Sequence, residues 1–146
     1  MQPTRRHLLL AALPTLLPLP ARATRIDIDA AMRVIIGHAP LRPGRVKIDL
    51  PLLVENGNTV AMTVAVPDLL PAAERVLSVH VFADGNPLPN VIHAYFGPRS
   101  GAPRLSTRIR LATSQTVFAV AACADGSFWV DSVEVLVTLA ACIEEL

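Results

Sequence analysis

Few side chains in this chain are suited to chemistry, and they are scattered. Cys142 lies in Thr-Leu-Ala-Ala-Cys-Ile-Glu-Glu-Leu (138–146), beyond the last run that reads as a strand, so its thiol is presented rather than packed. A thiol so placed can carry a covalent adduct, provided something helps it deprotonate. The second cysteine, Cys123, precedes Asp125-Gly126, a two-residue hairpin signal that sets Cys123 opposite Phe128. If most of the chain between the cysteines is extended, their sulfurs are roughly 45 Å apart. A disulfide needs Cα atoms within about 7 Å. Cys123 therefore reads as a small apolar strand residue and Cys142 as unbridged. His38, His80 and His93 are potential metal ligands, but their spacing matches no metal-site pattern and no cysteine pair stands near them, so no metal and no cofactor is expected. A Cys142–histidine nucleophilic pair would need the tail to fold back. With no glycine-rich phosphate loop and no nucleophile elbow, an independent enzyme is the weakest reading.

The elements that must position these residues are mostly strands. Residues 27–37 read as one short helix, capped by Asp27 or Asp29 and ended by Gly37, with Ile28, Met32, Ile35 and Ile36 on one face. Short β-branched runs follow at 46–54, 59–66, 76–83, 91–96, 105–111, 116–123 and 128–139, each bounded by Pro, Gly, Asn or Asp. Seven such strands without intervening helices predict an all-β, immunoglobulin-like β-sandwich with a short N-terminal helix and an extended C-terminal arm. Alternation across 104–111 puts Leu105, Thr107, Ile109 and Leu111 inward and Arg104, Ser106, Arg108 and Arg110 outward. Those arginines are either a solvated strand face or a docking face for an anion or partner. Glu55-Asn56-Gly57-Asn58 is expected to join the first two strands as a hairpin turn. Phe82, Phe128 and Trp129 sit in apolar runs and are expected in the core.

The first 23 residues read as an export signal. Arg5-Arg6 precedes an apolar stretch that ends at Ala21-Arg22-Ala23, and Pro14, Pro18 and Pro20 interrupt it too often for a membrane span. The arginine pair predicts twin-arginine export of a folded protein to the periplasm; a plain secretory signal is the alternative. Cleavage after Ala23 removes Arg5, Arg6 and Arg22 and leaves 10 basic against 12 acidic residues, a formal charge of −2. That balance gives no reason to expect nucleic acid or an anionic membrane as partner. The expected organisation is a signal at 1–23, one sandwich domain at 24–139 and a cysteine-bearing arm at 140–146.

Several stretches resemble the SoxY sulfur-carrier family of the periplasmic thiosulfate-oxidising system. They are Glu55-Asn56-Gly57 leading into Val60-Ala61-Met62-Thr63-Val64, His80-Val81-Phe82-Ala83 with Asn86-Pro87, Ser106-Thr107-Arg108-Ile109-Arg110-Leu111-Ala112, Gln115-Thr116-Val117, Ala119-Val120-Ala121 and Asp125-Gly126-Ser127-Phe128-Trp129. The resemblance implies a heterodimer with a SoxZ-like β subunit, no catalytic machinery of its own, and cargo held on a cysteine near the C-terminus while sulfur-oxidising enzymes and cytochromes act on it. Cys142 matches the carrier cysteine. The arm departs from the family's Gly-Gly-Cys-Gly-Gly: Ala140 and Ala141 precede the cysteine, and Ile143 and Glu144 follow it. Alanine closes backbone regions that glycine visits, so this arm is stiffer and thicker. It resembles a SoxY-related group with an Ala-Ala-Cys-Ile-Glu arm, in which these flanking residues would serve recognition. Glu144, Glu145 and the terminal carboxylate put three negative groups within roughly 10 Å of the sulfur. They disfavour the thiolate and repel a dianion such as thiosulfate, so a partner must activate the thiol and the cargo stays open. The competing reading is an interaction or assembly module whose tail docks a partner through Ile143 and Leu146, with Cys142 incidental.

Overall fold

The computed structural model describes residues 25–66 and 70–139. One helix, α1 (Arg25–Ile36), precedes nine strands: β1 (Leu41–Pro43), β2 (Lys47–Asp49), β3 (Leu53–Val54), β4 (Val60–Ala65), β5 (Val76–Ala83), β6 (Asn90–Tyr95), β7 (Arg104–Ile109), β8 (Gln115–Cys123) and β9 (Phe128–Val137). The larger sheet runs β1-β9-β8-β5-β6, with β3 also on β9; the smaller runs β2-β4-β7. Their facing sides enclose a core that includes Val46, Val60, Val64, Val79, Val81, Leu111, Val117 and Val135. A second, smaller core lies on the outer side of the larger sheet, where Ile28 and Met32 of α1 pack on Phe82 and Val120. The all-β sandwich expected from the strand runs is the observed fold.

Two covers explain the texture of the central strands. In β5 every residue but Leu77 is buried, because Val79, Val81 and Ala83 face the main core while Ser78, His80 and Phe82 face the helix side. Strands covered on both faces lose the apolar/polar alternation of a half-solvated sheet. On the uncovered small sheet the alternation survives: β7 exposes Arg104, Ser106 and Arg108 and turns Ile109 inward.

Several sequence expectations are corrected. Helix α1 begins at Arg25, so Asp27 and Asp29 lie inside it rather than capping it; Gly37, at φ +61°, ends it as expected. The single strand expected over 46–54 is two, because Pro51 offers no N–H to a ladder and the chain crosses there from the small sheet to the large one. Residues 55–58 consequently link β3 to β4 across the sandwich instead of closing a hairpin; β4 pairs with β2 and β7. Strand β1, bounded by prolines and too short to show a period, was not expected. Finally, Ala122 rather than Cys123 faces Phe128, since Cys123 exchanges backbone hydrogen bonds with Ser127 and Gly126. The connection is thus a three-residue loop, with Gly126 at φ +80° and the Asp125 carboxylate accepting from both the Ser127 N–H and hydroxyl.

Candidate functional site

The residues that lead to Cys142 follow β9, and the end of that strand is held by three hydrogen bonds, two on one flank and one on the other. Thr138 N–H donates to Val54 O at 2.9 Å, and Gly57 N–H donates to Leu139 O at 2.9 Å. On the other side of the strand the Ser114 hydroxyl accepts from Val137 N–H at 2.9 Å. Gly57 O in turn accepts from Leu111 N–H at 2.8 Å, so this one residue ties the segment after β9 to the segment after β7. The Asx turn of Asn56, whose Oδ1 accepts from Asn58 N–H at 2.9 Å, fixes the loop around Gly57.

Behind this root, one side chain organises the neighbouring loop. Asn86 Oδ1 accepts from Ala112 N–H at 2.9 Å and from Gln115 Nε2 at 3.0 Å, while its Nδ2 donates to Arg110 O at 3.0 Å. Gln115 is buried and also donates to Thr113 O and accepts from Gly85 N–H. Every polar group of the two amides is therefore used, and residues 110–115 are held rigidly beside the arm root.

Four leucines surround the same end of the molecule. Leu52, Leu53, Leu136 and Leu139 are 57–69% exposed, and Leu53 pairs with Leu136 across β3 and β9. Clustered exposed aliphatic side chains mark an interaction surface more often than isolated ones do.

Cys142 and its expected recognition residues Ala140, Ala141, Ile143 and Glu144 lie outside the described residues. Cys123 is buried in the main core, at the far end of β8 from the arm root; burial pushes its thiol up, with the Ser127 hydroxyl opposing. Arg104, Arg108 and Arg110 are exposed, as their alternation predicts. Arg108 lines an open trough of about 690 Å³ over the small sheet, whose floor includes Ala61, Thr63 and Ser106. With Arg110 it also rims a groove of about 440 Å³ against Leu88, Val91 and Ile92. Among the described residues none of the three arginines forms an ion pair.

Sequence spacing did not reveal that His80 and His93 meet. They stand opposite each other on β5 and β6, with their Nδ1 atoms 2.6 Å apart, and the Ser78 hydroxyl bonds His80 Nε2 at 2.8 Å. Burial, with a smaller contribution from His93, pushes His80 down to about 4. Ser78, His80 and His93 have the order of a nucleophile, base and orienting group, but Ser78 is only 6% exposed, so its hydroxyl is closed to substrate. His38 is exposed in the turn after α1 and takes no part in this cluster. Among the described residues no group of three or more His, Cys, Asp or Glu is placed to hold a metal. Phe82 is fully buried as expected, whereas Trp129 is only half-buried, lying at the sheet margin with the Arg45 guanidinium 4.6 Å and that of Arg42 5.7 Å from its ring centre.

With the site described, comparison with known proteins supplies the family. The model of the family described as sulfur oxidation protein SoxY matches residues 31–142, from the middle of α1 to the cysteine itself. The chain belongs to the SoxY family. No curated protein matches it. Among solved structures, the superoxide reductase (neelaredoxin) from Ignicoccus hospitalis is similar, with a TM-score of 0.56 at 21% identity over 64% of this chain and 80% of that one. A variant of the same reductase gives 0.56 at 20% identity over 74% and 89%. At that identity the likeness shows a shared sandwich fold alone. Membership of the SoxY family points to a sulfur-oxidation carrier subunit.

Proposed function

We propose that this SoxY-family chain is a periplasmic carrier whose arm cysteine, Cys142, holds a sulfur compound covalently while partner enzymes load, oxidise and release it. The observation that carries the reading is the family match over residues 31–142, a span whose last residue is Cys142. The fastened root at Thr138 and Leu139 supports it, since an arm that enters other proteins' active sites needs a fixed pivot. In this reading Ala140, Ala141, Ile143 and Glu144 are what the loading enzymes recognise, a SoxZ-like subunit completes a heterodimer, and residues 1–23 are a twin-arginine signal removed after export. The acidic, glycine-free arm favours a loading enzyme or cargo different from those served by a glycine arm.

Intact-protein mass spectrometry of the periplasmic protein from cells supplied with reduced sulfur compounds tests this. An adduct in whole or multiple sulfur-containing mass increments, mapping to Cys142 and lost in Cys142→Ala, is expected. Absence of any adduct under every sulfur supply, together with unchanged growth of the Cys142→Ala strain on reduced sulfur compounds, overturns it.

The exposed leucines at the arm root favour a second reading, an interaction module whose tail docks a partner. Cys142→Ser separates the two: docking survives the change, and carriage does not.

A further inference from the structure

His80 and His93 make a contact that neither the family membership nor the arm explains. At 2.6 Å their Nδ1 atoms are closer than two lone pairs tolerate, so one proton lies between them. His80 spends its other nitrogen on Ser78 and is 3% exposed, whereas His93 is exposed, so the pair meets solvent on the His93 side. Among the described residues neither ring is ion-paired. Strand β8 presents Val120 and Ala122, opposite His80 and Ser78, and β6 presents His93 and Tyr95. Helix α1 covers this face through Ile28 and Met32, while its Asp29 and Arg33 are exposed to solvent.

We propose that the His80–His93 pair is an acid-sensitive latch on the edge strand β6, closed while the rings share a bridging proton and open once both are cationic. Two imidazolium rings cannot share one hydrogen bond, because each nitrogen is then a donor. One ring of such a pair would also be a charge buried without a partner. Of the two strands it is β6 that yields: among the described residues it is outermost in its sheet, paired with β5 alone, and a register shift at Val81/Phe82 already interrupts its ladder.

Hydrogen exchange of the full chain, corrected for the intrinsic effect of pH, tests the latch. Between pH 6.5 and about 4 the amides of Val91–Tyr95 should lose protection at least ~10-fold more than those of Ala61–Val64 in β4. His93→Gln, which keeps a hydrogen-bonding side chain but cannot gain a charge, should abolish that excess. Equal loss in β4 and β6, or an undiminished step in His93→Gln, overturns the proposal. Should that variant fold poorly, imidazole nitrogen shifts of the unmodified chain decide: His80 must become cationic together with β6 opening, and a His80 that charges while β6 stays protected refutes it.

Discussion

Asn86→Ala should cost the body about 2–4 kcal/mol, and the loss should be concentrated beside the end of β9. The substitution removes three hydrogen bonds of 2.9–3.0 Å, to Ala112 N–H, Gln115 Nε2 and Arg110 O. The bonds to Ala112 and Arg110 are near the surface, where water replaces the lost partner and each costs about 0.5–1 kcal/mol. Gln115 is different: it is 6% exposed, and one of its two amide protons is left without an acceptor, a penalty of about 1–2 kcal/mol. Asn86→Asp provides the internal control. A carboxylate still accepts from Ala112 and Gln115 and loses only the donor to Arg110, so it should cost about 1 kcal/mol or less. Urea denaturation of the three proteins gives the order wild type, Asp, Ala, with the midpoint shifting and the slope unchanged. Exchange at residues 110–115 should rise most in the alanine variant. An alanine variant within 0.5 kcal/mol of wild type, or an aspartate variant as damaged as alanine, would refute the claim that Asn86 organises this loop by accepting hydrogen bonds.

Stability should also depend on pH through His80. Its folded value of about 4 lies below the ordinary 6.5, so between those values the unfolded chain binds more protons and stability rises with pH. The contribution is complete above about 6.5 and is lost as the pH falls toward about 4, by at most about 3 kcal/mol. Urea midpoints that stay flat from pH 6.5 to 5, above the range where most carboxylates titrate, contradict this. Gly85→Ala should destabilise by about 1–3 kcal/mol, because its Cβ would meet Thr113 Cγ2 at 2.7 Å and Gln115 Cβ at 2.8 Å; a neutral thermal shift counts against so tight a seat. Phe82→Ala should cost about 3–5 kcal/mol and free α1 first, read as a loss of helical circular dichroism before the strand signal; simultaneous loss would show that the two cores are not separable.

The sandwich was legible because most of its strands carry period-two patterning or unbroken β-branched runs between turn residues, as in the alternation of 104–111. What escaped was decided by contacts remote in sequence. Pro51 signals an interruption, but only the pairing of β3 with β9 shows that the chain changes sheets there. Asp125-Gly126 marks a turn correctly, yet whether the loop holds two or three residues depends on where Gly126 takes its positive φ. The meeting of His80 with His93 depends on the register of β5 against β6, which a loop of several residues and a shift at Val81/Phe82 leave unreadable. Trp129 looked like core because its run is apolar; the arginines that share its ring come from β1 and from the loop after it, 84 or more residues earlier in the chain. For the candidate site, Cys142 lies outside the described residues, and the fastening of the strand end before it depends on backbone hydrogen bonds to Val54 and Gly57, which no side-chain pattern announces.

The place of β9 within the larger sheet has a consequence for biosynthesis. It is the last described strand of the chain, yet β1 and β3, made early, have no seat in that sheet until it arrives. A ribosome-bound chain still lacking β9 would expose the flank of β8 and leave two N-terminal segments loose, an aggregation-prone species that chaperones would have to hold. Folding is thus a test of completed synthesis: only a chain translated through to the end of β9 can close.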